Sequence, residues 1–353
     1  HKSIKRISFL KMLINYGKYV ILSTSSKNYH KINYNQVGNL MERYYVKAVQ
    51  IMDEVNKVVM GKREIVAKVL AAILAKGHIL LEDNPGVGKT TLALAFSKAM
   101  ELNYHRLQFT PDVLPSDVVG FNMIGSGDQG YEYRPGAIIC NLFLADEINR
   151  TSPKTQSALL EVMEEGKVTV DSVTREMPKP FTVIATQNPI GSVGTQMLPE
   201  SQLDRFIIKL SMGYPDTKSE IMILKHRQNI NPLDNVITVA YQEDIITMQS
   251  IVENVFIHDS LYEYIAFMVE QTRSNSLVEL GVSPRGSLAI MNMAKAIAFI
   301  DNRDYVIPGD IQYIFKDVAA HRMILKPKAR VNQIDMDSLL DEILRIVKPP
   351  RII

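Results

Sequence analysis

The plainest chemistry in this chain lies in Asp83-Asn84-Pro85-Gly86-Val87-Gly88-Lys89-Thr90-Thr91. The stretch falls between the apolar run His78-Ile79-Leu80-Leu81 and the alanine-rich segment from Leu92 to Met100. Strand, glycine loop and helix start, in that order, make a cradle for phosphates. Glycines let backbone N–H groups close around a β-phosphate, and the loop delivers it to the positive end of a helix. In such a cradle Lys89 reaches the β- and γ-phosphates, and the Thr90 hydroxyl joins a Mg²⁺ shell. Asp83 stands where the strict pattern G-x-x-x-x-G-K-[ST] has its first glycine, while Gly86, Gly88, Lys89 and Thr90 keep the rest.

A second acidic signal follows at the end of Ile138-Ile139-Cys140-Asn141-Leu142-Phe143-Leu144-Ala145-Asp146-Glu147. The continuous apolar run predicts a buried parallel strand, and in open α/β sheets ligands sit at the carboxyl ends of strands. Asp146 is placed to hold Mg²⁺ through water, and Glu147 to polarise an attacking water. Alone, the two acids would read as a helix cap after a core strand; behind a phosphate loop they read as its hydrolytic half. A third strand, Phe181 to Thr186, runs into Gln187-Asn188-Pro189, where a strand-tip amide can orient water against a γ-phosphate. Arg205 precedes a fourth apolar run, and Arg285 sits at the helix start Ser283-Pro284-Arg285.

Positioning these groups requires alternating strands and helices from Met41 to Leu210, a parallel sheet covered on both faces. Apolar spacing predicts one helix across Glu42 to Ala75 ahead of the loop strand. Two detours read as β-hairpin inserts, near 118–137 and 166–180. Gly213-Tyr214-Pro215-Asp216 marks a hinge, after which helical periodicity alone continues, for instance Leu261, Ile265, Met268 and Val269 on one face. The expected division is an extension over 1–40, disordered or non-native, an α/β core over 41–213 and a helical lid over 214–353.

The order of these motifs resembles the AAA+ ATPases, and their wording is similar to the MoxR family. The carrying residues run from Leu80 to Thr90, Phe109 to Asp117, Leu144 to Arg150 and Ala185 to Pro189. Gln202 to Phe206, Val282 to Arg285 and Val306 to Ile311 complete them. The resemblance covers about residue 47 to the C-terminus. It implies an AAA+ parallel-sheet domain with a smaller all-α lid, and ATP hydrolysis with Mg²⁺ in a homo-oligomeric ring, a hexamer. Such rings remodel or mature partner proteins, usually alongside proteins carrying a von Willebrand factor A type domain.

Residue by residue, the resemblance makes Asn84, Pro85, Gly86, Val87, Gly88, Lys89, Thr90 and Thr91 the Walker A loop. It makes Asp146 and Glu147 the Walker B pair and Asn188 sensor 1. Gly61, in Val58-Val59-Met60-Gly61-Lys62, matches the segment beside the adenine. Arg205 corresponds to the arginine finger that completes a neighbour's site, and Arg285 to the sensor 2 arginine. Arg150 is a second candidate for the subunit boundary, or else a helix-start ion pair. The inserts would face the ring's pore. Two alternatives stay open: a sister motor of the metal-chelatase ATPase type, and a nucleotide-switched scaffold whose binding does the work.

Composition agrees without having pointed there. A length of 353 residues allows two domains and a sizeable core. A formal net charge of +2, with charges interspersed, argues against a strongly basic nucleic-acid machine. The single cysteine, Cys140, falls within the predicted Walker B strand, as a small buried apolar residue suited to a reducing, cytoplasmic compartment. Lys11 and Lys18 interrupt the N-terminal apolar stretch, which therefore lacks the h-region of a signal peptide. No run approaches the roughly 20 apolar residues of a membrane span.

Overall fold

The computed structural model describes residues 11–16, 19–23, 29–124, 131–188, 198–226 and 232–351, with side chains from Met41 on except Arg330. Three strands come first, β1 (Lys11–Tyr16), β2 (Tyr19–Ser23) and β3 (Tyr29–Asn33), paired antiparallel in the order β1-β2-β3. The expectation of a disordered or non-native extension over 1–40 did not include this backbone pairing.

Helix α1 (Tyr34–Asn56) therefore begins ahead of Met41, and it does not run on into α2 (Arg63–Leu74). The single helix expected across Glu42 to Ala75 is broken at Gly61. That residue takes φ +73, a left-handed conformation that costs glycine little and a β-carbon-bearing residue much. A Cβ there would also lie 2.2 Å from Ser219 Oγ.

The core continues through β4 (Ile79–Glu82), α3 (Lys89–Ala99), β5 (Tyr104–Gln108) and α4 (Pro115–Val119). The insert hairpin β6 (Gly120–Ile124) and β7 (Tyr131–Pro135) follows, then β8 (Leu142–Asp146) and α5 (Pro153–Glu165). A second hairpin, β9 (Lys167–Val170) and β10 (Val173–Glu176), leads to β11 (Thr182–Gln187), α6 (Glu200–Leu203) and β12 (Ile208–Leu210). Five strands form one sheet, β12-β4-β11-β8-β5, parallel throughout. The two inserts are antiparallel hairpins, as expected.

Strand β8 is shorter than its apolar run suggested. Residues 138–141 form a turn stapled by Asn141, whose Nδ2 donates to the Pro180 carbonyl at 2.8 Å. Cys140 thus lies buried in the turn rather than the strand, and burial pushes its thiol pKa up to about 12.

Side chains alternate across the sheet as a period of two requires. Ile79, Leu81, Leu142, Leu144, Ile184 and Ile208 join a core with the α1, α2 and α3 side chains. Leu80, Phe143, Ala145, Val183 and Ala185 face a second core with α5. Because both faces are covered, only the strand ends are left to meet ligands.

Beyond the sheet come α7 (Thr217–His226), α8 (Gln242–Glu253), α9 (Asp259–Ser274), β13 (Val278–Leu280), α10 (Pro284–Ile300) and α11 (Pro308–Ala319). The chain closes with β14 (Ile324–Leu325), α12 (Pro327–Val331) and α13 (Met336–Ile346). This is the helical lid, with a two-stranded β13–β14 ribbon that the all-α expectation missed. Its core is continuous with that of α1 and α2. Lys47 pairs with Asp244, Gln249 Nε2 donates to the Ile73 carbonyl at 2.8 Å, and Lys68 pairs with Asp317 at 2.7 Å. Among the described residues, no helix is long and apolar enough to cross a membrane.

Candidate functional site

Helix α3 follows the exposed turn Asn84, Pro85 and Gly86. Gly86 and Gly88 take φ +88 and +99. A Cβ on Gly86 would meet nothing within 4 Å, so glycine is required there by backbone conformation rather than by crowding. Gly88 caps α3 without any side-chain hydrogen bond, whereas Ser152, Ser283 and Asp335 cap α5, α10 and α13 with theirs. The first N–H groups of a helix have no intrahelical partner, so those of α3 are left for an anion.

Lys89 is buried, and its Nζ donates to the Asp83 carbonyl at 2.7 Å. Burial draws its pKa down, and the charges of Asp83, Asp146 and Glu147 push back. Three carboxylates therefore converge electrostatically on one ammonium. Thr90 and Thr91 follow half-buried, and the Thr90 hydroxyl has no partner among the described residues.

Asp146 ends β8, and Thr186 lies beside it on β11. The Thr186 hydroxyl donates to Asp146 Oδ1 at 2.7 Å and accepts the Glu147 N–H at 2.8 Å, so one fully buried hydroxyl pins both Asp146 and Glu147. Asp146 Oδ2 accepts from Arg106 Nη2 at 2.6 Å. Glu147 sits at φ +59 and ψ +48, a left-handed backbone that few non-glycine residues adopt and that functional sites often retain. Its Oε1 accepts from Asn188 Nδ2 at 3.0 Å and its Oε2 from Arg150 Nη1 at 2.8 Å. Burial works to raise the Glu147 pKa. Hydrogen bonds from Arg150, Asn188 and Gln108, with the Arg150 charge, outweigh it and hold the carboxyl below its ordinary range. Asn188 is itself buried, and its Oδ1 is enclosed without a partner among the described residues.

The predicted residues thus gather in two places. Lys89, Asp146, Glu147 and Asn188 meet at the carboxyl ends of β4, β8 and β11. Gly61 packs on Ser219, at the start of α7. Arg150 braces Glu147, so within this chain it is an ion pair on that carboxylate rather than a free group. Pro189 lies outside the described residues.

Arg205 and Arg285 are elsewhere. Arg205 Nε lies 3.0 Å from Glu164 Oε2, a charge contact without hydrogen-bond alignment, and Arg285 pairs with Glu164 Oε1. Arg205 precedes β12, whose Ile208 is level with Ile79 at the start of β4. The loop Asn84–Thr91 follows the far end of β4, roughly 13 Å away at about 3.3 Å per residue. Arg205, and Arg285 with it through Glu164, therefore lie toward the amino ends of the strands, away from their own loop at the carboxyl ends.

The sequence reading missed Thr186, Arg106, Glu164 and Asp204. Asp204 accepts from Ser283 Oγ at 2.8 Å and from Arg322 Nε at 2.8 Å, tying the segment that carries Arg205 to the lid. Arg322 is almost wholly buried, which pulls its pKa down to about 10 despite Asp204. None of the four stands in a pattern of its own, although Thr186 was in plain view next to Gln187.

Comparison with known proteins bears on this geometry. The profile of the ATPase family associated with various cellular activities matches residues 78–208, and that of the AAA lid domain matches 270–343. An uncharacterised Bacillus subtilis protein, YeaC, is 50% identical over 85% of this chain and 93% of its own length. The chaperone MoxR1 of Mycobacterium tuberculosis is 37% identical over 85% of this chain and 81% of its own. A crystal structure of a candidate ATPase from Cytophaga hutchinsonii superposes with a TM-score of 0.83 at 36% identity, over 90% of this chain and 99% of that one.

Proposed function

The chain belongs to the MoxR family of AAA+ ATPases, and from that premise we propose that it binds ATP with Mg²⁺ at Asn84–Thr91 and hydrolyses it in a ring, a hexamer, to remodel partner proteins. The observation that carries this reading is the bracing of Glu147. A carboxylate in a left-handed backbone position is fixed on both oxygens, held ionised, and set beside Lys89 and an uncapped helix. A general base needs that orientation and that charge state.

The residues divide the work by their chemistry. Gly86, Gly88 and the first amides of α3 receive the phosphates, and Lys89 leaves the Asp83 carbonyl to neutralise them. Mg²⁺, held by the Thr90 hydroxyl and through water by Asp146, would offset charge on the phosphate oxygens. Glu147 takes the proton of the attacking water, and Asn188 orients that water. Arg205 and Arg285, turned from their own loop, act on the neighbour's nucleotide, so that assembly and hydrolysis are coupled. Partner proteins with von Willebrand factor A type domains and a cytoplasmic setting complete the proposal on the family resemblance. The test is an ATPase titration against protein concentration: specific activity rises steeply with assembly. A concentration-independent rate would remove the trans arginines from the mechanism, and an absence of hydrolysis would leave a nucleotide-switched scaffold.

A further inference from the structure

Asp83 occupies the place of the loop's first glycine; the residue is only 6% exposed, and its carboxylate is fully engaged. Its Oδ1 accepts from Ser211 Oγ at 2.8 Å and from the Gly213 N–H at 3.0 Å, and its Oδ2 accepts from the Met212 N–H at 2.5 Å. These donors are consecutive residues of the short connection between β12 and α7, the passage from sheet to lid. The carbonyl of the same residue accepts Lys89 Nζ at 2.7 Å. One residue therefore joins the phosphate-binding lysine to the core–lid connection. Neighbouring contacts repeat the tie: Asn84 Nδ2 reaches Tyr214 Oη at 3.5 Å, and Lys62 Nζ donates to the Tyr214 carbonyl at 2.8 Å.

We propose that Asp83 is a positioning residue that couples the phosphate loop to the lid, passing the engagement of Lys89 by a polyphosphate on to Ser211, Met212 and Gly213. The inference rests on the nucleotide binding proposed above. When Lys89 exchanges the Asp83 carbonyl for phosphate oxygens, the backbone of Asp83 loses one restraint while its side chain keeps three. A shift at the loop is then felt at the connection. Only an ionised carboxylate can accept from all three donors; an asparagine amide would set its own N–H₂ against one of them. A glycine would leave two backbone N–H groups and a hydroxyl without partners.

The experiment is amide hydrogen exchange on the full chain, without nucleotide, with ADP–Mg²⁺, and with a non-hydrolysable ATP analogue and Mg²⁺. In the wild type, nucleotide changes exchange at Met212 and Gly213 and in the α8–α11 peptides. In Asp83→Asn those two amides exchange roughly tenfold faster or more, as expected for the loss of hydrogen bonds to a charged group. Nucleotide binding is measured on the same samples, so that lid responses are compared at equal occupancy. The nucleotide-dependent change in the lid peptides disappears. Ser211→Ala removes one donor, weakens the lid response in the same direction, and decides the matter should Asp83→Asn not fold. An undiminished lid response in both variants overturns the proposal. So does loss of nucleotide binding in Asp83→Asn, which would confine the carboxylate to the loop. A wild-type chain that binds nucleotide with no lid response overturns the coupling alone, and one that binds none overturns the proposed function itself.

Discussion

Thr186→Val isolates one hydroxyl without changing side-chain volume. In the fold that hydroxyl is fully buried, gives a 2.7 Å hydrogen bond to Asp146 and receives one of 2.8 Å from the Glu147 N–H. Losing a hydrogen bond to a charged group costs about 1.5–3 kcal/mol, and a buried N–H left unpaired adds about 1 kcal/mol or more. Asp146 keeps Arg106 on its other oxygen, which softens the loss. A net destabilisation of about 2–4 kcal/mol follows, or roughly 4–16 °C in Tm at ~2–4 °C per kcal/mol. Activity suffers in a different way. Glu147 holds a left-handed conformation through this contact, and displacing a catalytic group by about 1 Å can cost ~100-fold. The expected outcome is a kcat lowered roughly 10- to 100-fold, with KM for ATP within about threefold because Lys89 and the loop glycines are untouched. Thr186→Ser, which restores the hydroxyl, recovers most of both. Differential scanning calorimetry and steady-state ATPase kinetics give the two readings. Wild-type kcat and Tm in Thr186→Val would show that the hydroxyl does not hold the two acids.

Other expectations follow from single contacts. Lys89→Ala abolishes nucleotide binding in equilibrium titrations, whereas Glu147→Gln binds and does not turn over; circular dichroism must show both folded, and normal hydrolysis by Glu147→Gln would reassign the base. His78 is buried between the Met163 carbonyl and the Val183 N–H, and burial lowers its pKa from 6.5 to about 4. The unfolded chain takes up that proton first, so His78 withdraws about 3 kcal/mol of stability as pH falls from 6.5 to 4, and buried His321 adds to the same limb. Urea melts across that window should show the decline, and His78→Leu should flatten it; a slope unchanged in that variant contradicts the assignment. Lys68→Met, which strips the charge facing Asp317 at 2.7 Å, should cost about 1–3 kcal/mol, and pairing it with Asp317→Leu should recover part of this in a double-mutant cycle.

Chemistry carried by neighbours in sequence was legible. Gly86, Gly88, Lys89 and Thr90 share one loop, and Asp146 and Glu147 end one strand, so the apolar runs around them fixed their place at the carboxyl ends of a parallel sheet. Chemistry carried by register was not. Thr186 meets Asp146 because β11 pairs in parallel with β8, and Arg106 reaches it from β5. Neither pairing leaves a trace in local spacing. Asp83 could be seen as a departure, but its role depends on residues over 120 positions further along the chain. The break at Gly61 was hidden for a different reason: apolar periodicity continues on both sides, and only a left-handed glycine marks the turn. The lid's periodicity was read correctly, while its continuity with the α1–α2 core could not be, since faces of helices do not name their partners.

The central claim is that hydrolysis needs an arginine from the neighbouring subunit, and the most direct measurement is ATPase activity in mixtures of two inactive variants. Arg205→Ala keeps its own phosphate loop, and Lys89→Ala keeps its arginine. In a mixed ring the first binds ATP and the second completes the site, so the mixture should hydrolyse ATP where each variant alone is nearly inactive. If light scattering shows that mixed rings have formed and the mixture stays as inactive as its components, Arg205 does not act across the subunit boundary.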